Sequence, residues 1–230
     1  EEKLESVKST LLEQFPRREV EFFTWEASDI EESQGFQQKL DSLKSKMEGK
    51  DFGLLVNNVG TTENTFGWFS DDEMSEREHC NDLIRTVKIN CIFPAKLTAA
   101  IIPILRGRSH RSSAIINISS ILAHLPSPFN PIYGASKSFN RTFSRALTAE
   151  YAQMGIDVLC VSPGMVASNL TGIQKSTWFC SGARETAMYS LRALGLAVEI
   201  FPHPIHGLTY FLSCILMTFI PQKWSSTTTA

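Results

Sequence analysis

The feature that most constrains the fold is a set of short, nearly unbroken apolar runs set among long helical stretches. Residues 52–56, 113–119 and 156–162 show little alternation of apolar and polar side chains. That is the pattern of strands buried on both faces of a parallel sheet. Residues 1–15 repeat Leu4, Val7, Leu11 and Leu12 at helical spacing and stop at Pro16; residues 31–48 place Phe36, Leu40, Leu43 and Met47 on one face. Residues 72–106 are helical in pattern. Residues 132–154 carry Phe139, Phe143 and Leu147 as a core stripe, and helical segments follow from about 183. Residues 19–25 read as a further strand. Strands alternating with long helices predict repeated βαβ units, hence an α/β protein with a doubly wound parallel sheet. With no repeat, low-complexity tract or linker, residues 1–200 read as one domain. Residues 201–230 read as a C-terminal apolar helix and a polar tail.

Composition excludes several function classes. At 43% apolar and 20% charged residues, the chain is neither disordered nor a polytopic membrane protein. With 22 basic and 24 acidic residues it has no broad basic field for nucleic acid. Five cysteines without a CxxC pair, and five histidines without ligand spacing, predict neither a disulfide scaffold nor a metal site. Cys91 and Cys160 fall in apolar elements and read as inert core thiols, and the basic run 106–111 as a solvated loop. The charged start predicts no signal peptide or anchor there. Residues 207–221 are apolar over 15 residues, against the ~20 of a spanning helix. They read as a buried helix, with a membrane-lying segment as the alternative.

In open parallel sheets, ligands bind beyond the carboxyl ends of the strands. The residues there are Asn57-Asn58-Val59-Gly60, Ser119-Ser120 and Pro163-Gly164. After Ser120 a loop leads to a helix opened by Tyr133-Gly134-Ala135-Ser136-Lys137, in which Tyr133 and Lys137 are one turn apart on one face. They lie off the phenylalanine stripe, so neither is expected to help that helix pack. A nearby ammonium favours the phenolate and brings a tyrosine toward useful acid–base range. A serine hydroxyl beside it could hold a carbonyl or hydroxyl oxygen. Such a site suits protonation of an oxygen as hydride reaches its carbon, with the hydride coming from a cofactor.

This ordered set resembles the short-chain dehydrogenase/reductase family over roughly residues 1–200. The matching features are Asn57-Asn58-Val59-Gly60, Asn90, Ser120, the Tyr133–Lys137 YxxxK motif thirteen positions later, and Pro163-Gly164. Val59, the run Asn117-Ile118-Ser119-Ser120 and the charged start narrow the resemblance. They point to the branch of very-long-chain 3-oxoacyl-CoA reductases and related 17β-hydroxysteroid dehydrogenases. The resemblance implies a Rossmann-like fold and an NADP(H)-dependent oxidoreductase reducing a ketone on a lipid-like substrate, a 3-oxoacyl-CoA or a 17-ketosteroid. It implies Tyr133 as general acid, Lys137 as the group that lowers its pKa and holds the nicotinamide ribose, Ser120 as orienter of the substrate carbonyl, and Asn90 as holder of a relay water. It further implies cofactor contacts from Asn57, Gly60, Pro163, Gly164, Val166 and Ser168, an adenine-contacting acid at Glu26 or Asp29, dimerisation through helices, and the endoplasmic reticulum membrane as location.

The family's TGxxxGxG turn, which lets backbone approach a pyrophosphate, has no counterpart in these 230 residues. The sequence therefore reads as N-terminally truncated relative to the family, with the first βαβ portion absent. Neighbouring strand edges are then expected to be unpaired, and dinucleotide binding poor. The other reading is an inactive isoform or pseudoenzyme acting through association with proteins.

Overall fold

The computed structural model describes residues 2–28, 30, 34–62, 69, 76–108 and 112–219. Asp29, residues 109–111, the first residues predicted for the 72–106 helix, and the tail from 220 lie outside the described residues. The chain forms two compact units, Glu1–Lys50 and Asp51–Ala230.

In the first unit, helix α1 (Glu2–Gln14) leaves its apolar stripe outside: Leu4, Val7 and Leu11 are all exposed. Helix α2 (Gln34–Met47) buries Phe36 and Leu40, with Trp25 against Phe36 at a ring separation of 4.8 Å. The strand expected at 19–25 does not form; the segment joins no ladder. Its β-prone composition matched a strand, but a strand also needs a partner at hydrogen-bonding distance.

The second unit holds a four-stranded sheet in the order β1-β2-β3-β4, parallel throughout. The strands are β1 (Leu54–Asn57), β2 (Ser113–Ile118), β3 (Ile156–Val161) and β4 (Glu199–Ile200). Strands β2 and β3 are central, and their unbroken apolar runs are buried on both faces: Ile115, Leu159, Cys160 and Val161 are fully enclosed. Each such aliphatic side chain contributes about 1.5–3 kcal/mol. Strand β1 differs from its reading. It is an edge strand that buries Leu55 and Asn57 but leaves Leu54 and Val56 exposed, because only one of its faces is covered. Strand β4 falls where only helix was expected; two residues are too few to leave a periodic signal.

Helix α3 (Glu76–Val87), a π turn (Lys88–Ile92) and α4 (Phe93–Arg106) run on continuously. Pro94 explains the π turn. It has no N–H to give the carbonyl of Asn90 four residues earlier, so the α ladder fails there and Phe93 N–H reaches back to Lys88 O instead. The stretch Arg77–Arg106 is long and apolar enough to cross a membrane by length and composition. Here it is a core helix packed on α5 and the sheet, with Ile101 and Leu105 only 1% exposed.

Helix α5 (Pro131–Tyr151) corrects the reading of its face. Its buried residues are Gly134, Ser136, Lys137, Asn140, Ser144 and Leu147, whereas Phe139 is exposed and stacks with Phe143 at 5.7 Å on the outer side. Small and polar residues face the sheet because they complete a buried hydrogen-bond chain. Asn57 Nδ2 donates to Thr98 Oγ1 and Asn117 Oδ1, Asn117 Nδ2 donates to Ser144 Oγ, and Ser144 Oγ donates to Asn140 O. Gly155, at φ 76°, closes the turn from α5 into β3 in the left-handed region. Helices α6 (Ala183–Ala193) and α7 (Pro204–Phe219) complete the unit. Helix α7 is inverted. Leu208, Phe211, Leu212, Ile215 and Leu216 are exposed, while His206 is buried and Thr209, Tyr210, Ser213 and Cys214 are half-buried.

Candidate active site

A cavity of about 770 Å³ opens at the carboxyl ends of β1, β2 and β3. Ser120 lies two residues beyond β2 and caps a short 3₁₀ turn, accepting the Leu122 N–H at 3.2 Å. Its hydroxyl is hydrogen-bonded to that of Tyr133. Lys137, one turn further along α5, is 4% exposed, and its Nζ donates to Ile118 O at 3.2 Å. That nitrogen stands 5.5 Å from the centre of the Tyr133 ring. Ser119 holds the lysine's backbone, donating to Lys137 O at 2.7 Å. Ser120, Tyr133 and Lys137 thus converge on one wall.

The electrostatics differ from the simple expectation. Burial raises the Tyr133 pKa above its ordinary value, and the bond to Ser120 pulls it back. Burial also pushes Lys137 down, to about 8. The lysine's nitrogen is committed to the Ile118 carbonyl and lies over the ring, so Ser120 is the neighbour that favours the phenolate here. Cys91 and Cys160 are pushed up to about 11 by burial and stay as thiols.

Gly60, Pro163, Gly164, Val166 and Ser168 also line the cavity. At Gly60 a Cβ would stand 3.2 Å from Lys137 Nζ and 3.5 Å from Asn90 Oδ1, so backbone passes directly over the lysine. Asn57 and Asn90 do not line it. Asn57 points to the opposite face, into the hydrogen-bond chain with Thr98 and Asn117. Strand alternation carries this information: Leu55 and Asn57 share one face, Val56 and Asn58 the other, and Val56 and Asn58 line the cavity. Asn90 is fully buried and its side chain is occupied. Oδ1 accepts from Thr61 N at 2.8 Å, while Nδ2 donates to Thr61 O at 2.8 Å and to Ser136 Oγ at 2.9 Å. It clamps the loop after β1 beneath the cavity.

The sequence reading did not find Arg85 and Asn130, which hold the same loop. Arg85 donates to Thr61 Oγ1 at 2.9 Å and Thr62 O at 3.3 Å, and Asn130 donates to Thr62 Oγ1 at 2.7 Å. Nor did it find Thr186, Ala187 and Ser190 of α6 on the far wall. Only tertiary packing brings these together. Glu26 is hydrogen-bonded to Ser28 within the first unit. Among the described residues, no three His, Cys, Asp or Glu side chains gather as a metal site.

The short chain dehydrogenase family profile matches residues 1–177. The chain belongs to this family. It is 30% identical over 183 residues to very-long-chain 3-oxoacyl-CoA reductase of Bos taurus, covering 80% of this chain and 57% of that protein. It is 28% identical over 218 residues to hydroxysteroid dehydrogenase-like protein 1 of Gallus gallus, covering 92% of this chain and 60% of that one. The chain therefore spans little more than half the length of these curated relatives. Among solved structures, a short-chain dehydrogenase from Sphingobium yanoikuyae in complex with NADPH superposes with a TM-score of 0.70 at 21% identity, over 99% of this chain and 84% of that one. A 7beta-hydroxysteroid dehydrogenase superposes at 0.73 with 18% identity, over 100% and 80%. At these identities the likeness is one of fold, a Rossmann-like α/β sheet.

Proposed function

We propose that this family member is an oxidoreductase that reduces the ketone of a lipid-like substrate, a 3-oxoacyl-CoA in preference to a 17-ketosteroid, with NADP(H) as cofactor. The carrying observation is the convergence of Ser120, Tyr133 and Lys137 on one cavity wall. The names of the relatives support the acyl-CoA preference. The nicotinamide and its ribose fit the residues present: Gly60, Pro163, Gly164, Val166 and Ser168 line the cavity beside Lys137, and the Lys137 ammonium has donors beyond the one given to Ile118 O. When bound, the cofactor supplies hydride. Ser120 then orients the substrate oxygen and favours the Tyr133 phenolate, Tyr133 gives the oxygen a proton, and Lys137 holds the ribose. Pro163, Gly164, Val166 and Ser168 form the nicotinamide wall. Asn57 and Asn90 act by holding β1 and its following loop. Ile116, Ile118, Val166, Leu170 and Leu191 give the cavity an apolar lining suited to a lipid.

Tyr133→Phe should lower turnover of a long-chain 3-oxoacyl-CoA by about 10²–10⁴-fold and leave the NADPH dissociation constant within about threefold; full turnover in that variant would remove the acid role. A second reading is an inactive isoform or pseudoenzyme that acts through association with proteins. NADPH titration followed by tryptophan fluorescence separates the two. Saturable binding with turnover supports the reductase, and no binding supports the inactive form.

The proposed location is the endoplasmic reticulum membrane, with the outward apolar face of α7 against lipid. Its support is the inverted polarity of that helix, together with Trp178, 82% exposed, beside it. Phe211→Asp with Ile215→Asp should abolish co-sedimentation with phosphatidylcholine vesicles; unchanged sedimentation would refute the contact.

A further inference from the structure

The segment 165–181 leaves β3 through Pro163-Gly164 and returns to α6, and Val166, Ser168 and Leu170 in it line the cavity. Its two limbs meet at one point. Val166 and Ser181 form an isolated bridge, with Ala167 N–H donating to Ser181 O at 2.9 Å and Ser181 N–H to Met165 O at 3.1 Å. The imidazole of His206, from α7, is inserted there and is 1% exposed. Its Nε2 lies 3.1 Å from Ser181 Oγ and 3.1 Å from Met165 O.

The proton directions follow from the partners. Thr186 Oγ1 donates to Gly182 O at 3.0 Å, so its contact with Ser181 Oγ at 2.8 Å has serine as donor. The serine oxygen is then the acceptor toward His206, and the Met165 carbonyl can only accept. Nε2 therefore carries the proton and bridges both limbs. Nδ1 is buried without a hydrogen-bond partner. The ring also presses on the start of the segment: a Cβ at Gly164 would lie 2.9 Å from its Cδ2. An aliphatic side chain would fill this space without stranding a nitrogen, so the imidazole's distinct contribution is its Nε2–H.

We propose that His206 is a positioning residue that latches the 165–181 segment into the cavity wall, acting through Met165 and Ser181 on Val166 and Thr186. Its kinetic consequence rests on the reductase reading; its structural consequence does not.

The test is amide hydrogen exchange on the full chain. In His206→Leu the amides of Ala167 and Ser181 should exchange about tenfold or more faster, with β2 and β3 as protected as before. Trypsin cleavage after the exposed Lys175 should accelerate in parallel. His206→Gln, whose amide can donate from a similar place, should restore most of the protection. Unchanged exchange at Ala167 and Ser181 in the leucine variant would overturn the latch. So would equal loosening of β2 and β3, the mark of a mere core residue. Should the leucine variant not fold, Ser181→Ala must itself loosen Ala167, or the proposal fails. In the reductase assay, the KM values for NADPH and ketone should rise about tenfold with kcat within about threefold; a loss confined to kcat would count against it. An inactive wild-type chain would refute the reductase reading and leave the exchange test intact.

Discussion

Replacing Lys137 by Met should stabilise the protein while disabling it. The lysine is 4% exposed, and burial lowers its pKa from 10.5 to about 8. Holding the ammonium charged in that environment at pH 7 costs about 3 kcal/mol. Methionine keeps the unbranched stem of the side chain and loses the charged nitrogen. It forfeits the hydrogen bond to Ile118 O, about 1 kcal/mol. The net expectation is a gain of about 2 kcal/mol, or about 4–8 °C in Tm for a chain of this size. The pH dependence makes the test sharper. Below pH 8 the lysine is protonated in both folded and unfolded chains, and the wild type bears the full penalty. Between about 8 and 10.5 the unfolded chain binds more protons than the folded one, so wild-type stability rises with pH. The variant's advantage should therefore be largest at pH 7 and close by about pH 10.5. Urea unfolding at pH 7, 8.5 and 10 measures it. A variant less stable at pH 7, or an advantage constant across the range, would refute the reasoning.

Two further predictions concern packing and charge. A Cβ at Gly134 would stand 2.7 Å from Ser127 Cβ, so Gly134→Ala should cost about 1–2 kcal/mol despite its better helix propensity. Ser127→Gly in the same chain should reverse the loss in urea unfolding, and a stabilised single variant would contradict the crowding. Glu199 is shared between Arg141 Nε at 2.6 Å and His124 Nε2 at 3.1 Å, and burial and the Arg141 cation both lower the His124 pKa. Arg141→Met should raise that pKa, read by NMR titration of the imidazole protons; an unmoved titration would show that the arginine is not felt.

The site was more legible than the packing around it. Ser120, Tyr133 and Lys137 were readable because strand ends and one helical turn impose short-range geometry, which spacing encodes. The faces of helices were less so. Phe139, Phe143 and Leu147 marked an apolar stripe on α5; Leu147 is buried, but beside it the sheet takes Asn140 and Ser144, and Phe139 is exposed. Polar residues there are affordable only because Asn117 and Asn57 complete their hydrogen bonds, and those partners are tens of residues away. The strand expected at 19–25 and the double-sided burial expected of β1 failed for a related reason. Composition states what a segment can pair with or be covered by, not whether the partner is there.

The π turn at Lys88–Ile92 has a consequence for how the long helix is read. Each residue of an α-helix advances about 100° around the axis. One residue accommodated in a wider turn therefore changes the angular phase between α3 and α4. The apolar faces before and after it answer to two different angular origins, and no single helical wheel describes both. Deleting one residue within 88–92 would leave a helix of almost the same length, but with α4 rotated by about a quarter turn. Ile101 and Leu105 would swing away from the sheet, and Asn90 away from Thr61. The helix works as two phased segments whose offset is set where the chain passes beneath the cavity.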